Sequence, residues 1–247
     1  MALVAPRHIT AAEVVGAPIE YKWNAGLAVS LVEKENARLQ SALQTTHFKA
    51  NLAVGTSLAE WVVWRLHGYV ELTDAHHRVE AAWAAVIDPA YVSSLDIELS
   101  EDDDFDDKEP AAGPLEATLD ALGELFGRYR SLSSTIEEPV IALASLARHV
   151  VPNKKSFDRW LSTSLRRASK VFPYDVSRYD KSTDTYDPSY ESPVPKEFFE
   201  EDFKYSESTG LQVLRDFLES LDPSGNPYLC SSDAMLEAGF RGTPYRL

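Results

Sequence analysis

Cysteine is nearly missing from this chain: Cys230 is the only one in 247 residues. A lone thiol excludes an internal disulfide and any cysteine cluster for zinc or iron–sulfur, and it fits a reducing compartment. Long apolar runs are missing too. No uninterrupted stretch approaches the roughly 18 residues a membrane-spanning helix needs. Pro6, Arg7, Glu13 and Glu20 break up the first twenty positions, so no secretory h-region is found there. The expectation is a cytoplasmic protein with no membrane partner.

Motifs that announce chemistry are also absent. The sequence has no Gly-x-Ser-x-Gly elbow, no phosphate-binding glycine loop, no His-Glu-x-x-His and no Glu-x-x-His pair of the di-iron type. Cys230 follows a turn beside Ser231 and Ser232 with no histidine near it in sequence. No catalytic residue, metal ligand or cofactor is therefore assigned from sequence. Calcium-loop spacing is imitated by Asp180, Ser182, Asp184 and Glu191, but the turn glycine is missing and Pro188 occupies the ninth position.

What is present is enough apolar and aromatic side chain, 44% and 11%, to build a sizeable core. Its centre is Leu52 to His67, where apolar residues cover an arc of about 200° on a helical wheel, wider than a surface helix shows. That pattern predicts a mostly buried helix starting as early as Phe48, with Thr56, Glu60 and His67 as its polar stripe. Gly55 inside it implies a close helix contact. A second helix, Ala75 to Ile87, follows a short turn at Gly68, so the two form an antiparallel hairpin with Trp83 expected on the Trp61 or Trp64 side.

Other helical patterns cover Ala25 to Gln44, the Leu115 to Phe126 region, Ser134 to Val150, Lys154 to Val171, Leu211 to Leu221 and a short piece ending at Glu237, with a brief one at Ala11 to Val15. Pro173 to Glu201 reads as an extended loop held to the body by its aromatics. The fold class is mainly α: an irregular bundle of about seven helices with a long acidic and aromatic loop region. It forms one domain or two packed subdomains, 1–97 and 115–247, joined by an acidic linker at 98–114.

The net charge of −15 is unevenly spread. Asp96 to Glu109 holds nine acids and one base, and Tyr174 to Glu207 ten acids and four bases. Arg148 to Lys170 reverses the sign, with seven bases and only Asp158. Lys155, Arg159, Arg166 and Lys170 fall within about 60° of one another on a wheel, a basic stripe opposite a core face. Such segregation argues against nucleic-acid binding.

Three functional expectations follow. The first is a protein-binding module, concretely a toxin-neutralising protein of the immunity type. It would meet a basic partner surface through Glu101, Asp102, Asp103, Asp104, Asp106, Asp107, Asp180, Asp184 and Asp187. The second is an enzyme or metal protein with Glu60, His67, His76 and Glu80 lining a pocket at the central hairpin. Glu60 and His67 are about 10.5 Å apart in helical rise, too far to hold one metal ion by themselves. The third is a scaffold or regulatory module whose basic stripe binds an acidic or phosphorylated partner.

Overall fold

A helix from Phe48 to Arg65 (α4) is buried along its whole length except at Lys49 and Glu60, which keep partial contact with solvent. The computed structural model describes residues 4–95, 109–180, 185–186 and 188–247. Around α4 these residues form nine further α-helices: α1 (Arg7–Ala11), α2 (Ala25–Val32), α3 (Ala37–Leu43), α5 (Thr73–Ile87), α6 (Ala112–Arg130), α7 (Glu137–Val150), α8 (Lys154–Val171), α9 (Glu207–Ser220) and α10 (Ser232–Glu237). The architecture is a mainly α, multi-helix bundle. Two-residue strands β1 (Tyr179–Asp180) and β2 (Thr185–Tyr186) pair antiparallel in the long loop.

Helices α5, α6 and α7 wrap α4, and α8 reaches it through aromatic contacts. One continuous cluster of buried side chains runs from Ile9 to Met235, so the helices on both sides of 98–114 share a core. Gly55 lies where α4 meets α6 and α7. A Cβ there would overlap Leu125 Cδ2 and come within 3.4 Å of Leu143 Cδ1. The close approach expected of this glycine is what the packing requires.

A buried helix still carries unpaired N–H groups at its start and C=O groups at its end. At the start of α4, Glu191 Oε1 accepts from the Phe48 amide at 2.9 Å and Oε2 from the Lys49 amide at 2.8 Å. His47 Nδ1 accepts from Ala50 N–H at 3.0 Å. Burial holds the His47 imidazole down at about 4, which keeps this nitrogen free to accept. At the other end the last carbonyls accept from the Leu66 and His67 amides, and the buried Arg65 side chain, 1% exposed, donates to the carbonyls of Val150, Ala17 and Pro18 at 2.7–2.9 Å. It thereby ties the end of α7 and the N-terminal segment to the central helix.

The long loop lies on the body by its aromatics, as its composition predicts. Tyr186 stacks between Tyr174 and Phe48 at 5.1 Å on each side, and Tyr186 Oη donates to Glu191. Phe198 and Phe199 are buried below it.

Several sequence expectations are corrected. The pattern over Ala25 to Gln44 is two helices, because the Asn36 side chain accepts from Leu39 N–H and starts α3 anew. The first helix lies at Arg7–Ala11, and Glu13 beyond it has a left-handed φ of 55°. Trp83 joins the Trp61 side only indirectly, through Phe199 at 5.9 Å and Trp160, while Trp64 packs on His67 and His76. Helix α6 starts at Ala112, inside the span read as linker.

Gly55→Ala is expected to lower stability by about 1–3 kcal/mol through overpacking, even though alanine is the better helix former by ~1 kcal/mol. Urea unfolding of the two proteins measures it, and an unchanged or higher midpoint would show that the α4 crossing is not tight.

Candidate functional site

The residues proposed for a pocket at the hairpin occupy three different surroundings. His67 and His76 both lie against Trp64, with ring centroids 5.5 and 4.9 Å away, and burial followed by the His67 charge depresses His76. Glu80 Oε2 accepts from Asn226 Nδ2 at 2.9 Å, and the same amide donates to the His77 carbonyl. Glu60 sits elsewhere, among Trp83, Lys196, Glu197 and Glu200. The helical rise between Glu60 and His67 is what separates them. The polar stripe also fails as a surface feature at Thr56, which is fully buried and donates to the Leu52 carbonyl at 2.9 Å.

The basic stripe is where its spacing puts it. Lys155, Arg159, Arg166 and Lys170 are all exposed on α8, and among the described residues none makes an ion pair. Other bases of the segment are engaged: Arg148 with Asp158 at 2.7 Å, and Arg167 with the carbonyls of Glu200 and Phe203 at 2.9 and 2.8 Å. Of the acidic residues expected to meet a partner, Glu101, Asp102, Asp103, Asp104, Asp106, Asp107, Asp184 and Asp187 lie outside the described residues, and Asp180 lies in β1.

The structure assembles a different constellation, which sequence spacing did not reveal. A cleft of about 450 Å³ opens between α1, α8 and the segment after Phe199. His8 forms its inner wall: its side chain is 3% exposed and stacks on Trp160 with centroids 5.0 Å apart and planes 7° from parallel. Glu200 accepts the Arg7 and His8 amides at 2.8 and 2.9 Å, capping α1, and its carboxylate lies 3.4 Å from His8 Nδ1. Burial alone would raise Glu200, but His8 and these amides outweigh it and hold the acid below its usual range. Neither ring nitrogen of His8, nor the indole nitrogen of Trp61, makes a well-formed hydrogen bond. Arg159 of the basic stripe lies on the same cleft, opposite Glu201 and Asp202, with Asp202 taken by Arg7 at 3.0 Å.

Behind this cleft lies a second acidic feature. Glu60 is only partly buried by surface area, yet burial of its carboxyl pushes the pKa up to about 7, against the pull of Lys196 and Trp83 and with added repulsion from Glu200 and Glu197. The Trp83 indole is near enough to favour the charge but is not aligned for a hydrogen bond. Burial also raises Glu197, and its Oε2 has no partner. The signal available in sequence was weak: Glu197 and Glu200 stand in a proline-flanked acidic run, and nothing in local spacing links them to Glu60 or His8.

Among the described residues no three His, Cys, Asp or Glu side chains are placed to hold a metal ion. Burial raises the Cys230 thiol, opposite to what an activated nucleophile needs. No protein-family model, no curated protein and no solved structure matches the chain.

The Glu60 shift has a definite sign. The folded state holds a proton that the unfolded state releases, so this group's contribution is complete below about 4.5 and is lost as pH rises to about 7. His47 acts oppositely, its contribution disappearing as pH falls from 6.5 toward 4. The difference in unfolding free energy between wild type and Glu60→Gln, followed from pH 4.5 to 7, is expected to change by up to about 3 kcal/mol. A flat difference curve would show that the Glu60 carboxyl is solvated.

Proposed function

We propose that this chain is a protein-binding module for a partner with a basic surface, acting in the manner of a toxin-neutralising, immunity-type protein. One observation carries the reading. From Glu201 to Glu237 all eight acids, Glu201, Asp202, Glu207, Asp216, Glu219, Asp222, Asp233 and Glu237, are exposed, against the two bases Lys204 and Arg215. The interior carboxylates are used differently: Glu191 and Glu200 cap helices, and Glu137 accepts from Gln40 and Gln44 at 3.2 and 2.9 Å. Asp202 is paired with Arg7, and the other seven have no ion pair among the described residues, a surface suited to rapid capture of a basic protein and to rejection of nucleic acid.

No helix of the described residues is long and apolar enough to cross a membrane, which adds no membrane partner to this picture. In the Glu60, His67, His76, Glu80 alternative only His67 and His76 share surroundings, against Trp64, while Glu60 and Glu80 lie elsewhere.

The test is affinity capture from the native host with three baits: wild type, a variant with the acids of 101–107 reversed to lysine, and one with Glu207, Asp216 and Glu219 reversed. A specific partner is expected on wild type, weakened at high salt and lost with at least one reversed bait. Unchanged recovery on both reversed baits would eliminate the acidic-surface mechanism.

A further inference from the structure

Helix α2, Ala-Gly-Leu-Ala-Val-Ser-Leu-Val, has one polar side chain in eight residues and no buried residue. A helix that is apolar on every side ordinarily lies inside a protein. Here Leu27, Ala28 and Leu31 only partly cover the core, while Val29 and Val32 remain 55% and 39% exposed. The end of this helix opens onto a groove of about 460 Å³ floored by Val32, Pro139, Ile141 and Ala142 between α2, α3, α6 and α7.

The rim of the groove is acidic. Glu33 and Glu35 are exposed and have no ion pair among the described residues, whereas Glu124 and Glu138 bracket Arg128 at 2.7 and 2.5 Å. Four acids and two bases, Lys34 and Arg128, line the groove, which leaves a net negative rim with Glu33 and Glu35 as its unpaired acids. A second copy bound through the same face would set its own acidic rim against this one. Charge therefore favours a cationic occupant over self-association.

The geometry points to α2 and its groove as the docking site for an amphipathic, cationic segment of a protein partner: an apolar ridge set against Val29, Val32 and the groove floor, flanked by lysine or arginine facing Glu33 and Glu35. This rests on the protein-binding reading above and places the apolar contact within it. Helix α2 spans about 12 Å, room for two or three anchoring side chains of a helix laid alongside. The arrangement is an apolar centre inside a charged rim.

Three labelled 14-residue peptides test it: a leucine/lysine amphipathic helix, a serine/lysine peptide of equal charge, and a leucine/glutamate helix. They are titrated by fluorescence anisotropy against wild type and a Val29→Ser, Val32→Ser double variant. Both valines are exposed, so the variant is expected to keep its circular dichroism and Tm. Wild type is expected to bind leucine/lysine about tenfold more tightly than serine/lysine and to ignore leucine/glutamate. The double variant is expected to lose the tenfold advantage while binding serine/lysine as before. Survival of the advantage in the variant overturns the α2 site but leaves the acidic-surface reading standing. Failure of wild type to bind either cationic peptide overturns both. Sedimentation showing a wild-type dimer that the double variant dissolves makes a second copy the occupant and also overturns the proposal.

Discussion

The constraint on which the rest of the molecule depends is the burial of α4 on all sides. A helix placed in a core gains hydrophobic free energy along its length but strands its terminal N–H and C=O groups away from water. The start of α4 is therefore completed by a residue distant in sequence, while its last carbonyls accept from the local amides of Leu66 and His67. Glu191 comes from the long loop 142 and 143 positions away to take the first two amides. Arg65 reaches out from the last turn to carbonyls 47, 48 and 85 positions away. The acidic aromatic loop is fixed to the body by that requirement and the N-terminal segment by the donors of the buried Arg65, and α1 and Glu200 repeat the first device on a smaller scale.

This arrangement divides the charge into two populations. Glu191, Glu200, His47 and Arg65 are bound to backbone groups, where each satisfies a donor or acceptor that would otherwise be costly to bury. On the Glu201–Glu237 face Asp222 accepts turn amides and Asp202 pairs with Arg7, while the other acids have no ion pair among the described residues. The excess of acid on the Glu201–Glu237 face, the exposed basic stripe of α8 and the apolar α2 with its acidic rim are what the molecule presents outward. The functional reading is built on that outward face.

Much of the fold was legible in the sequence and little of the site was. Periodicity located α4, α5, α7 and α8 because their apolar faces are wide and unbroken, and Gly55 announced a close crossing. Periodicity failed where a side-chain cap overrode it, as when Asn36 divided Ala25 to Gln44. The cleft was illegible for another reason: His8, Trp61, Arg159 and Glu200 lie on four separate segments, and no local spacing encodes their meeting. Glu191 is the sharpest instance. It stands at the last position of a defective calcium-loop pattern, and its carboxylate is spent on the amides of Phe48 and Lys49, a role set by tertiary contact alone. His67 and His76 illustrate the reverse, a histidine pair suggestive in sequence that packs on Trp64.

Native-state hydrogen exchange resolved by residue tests the central claim most directly. With the start of α4 closed by Glu191 and His47 and its end held to α7 and the N-terminal segment by Arg65, the amides from Phe48 to Arg65 are expected to exchange only through global unfolding, with Phe48 and Lys49 as slow as the helix centre. Helix α2, with no buried residue, is expected to exchange far faster. Rapid local exchange at Phe48 and Lys49, with the centre of α4 still protected, would contradict the view that the distant loop completes the buried helix.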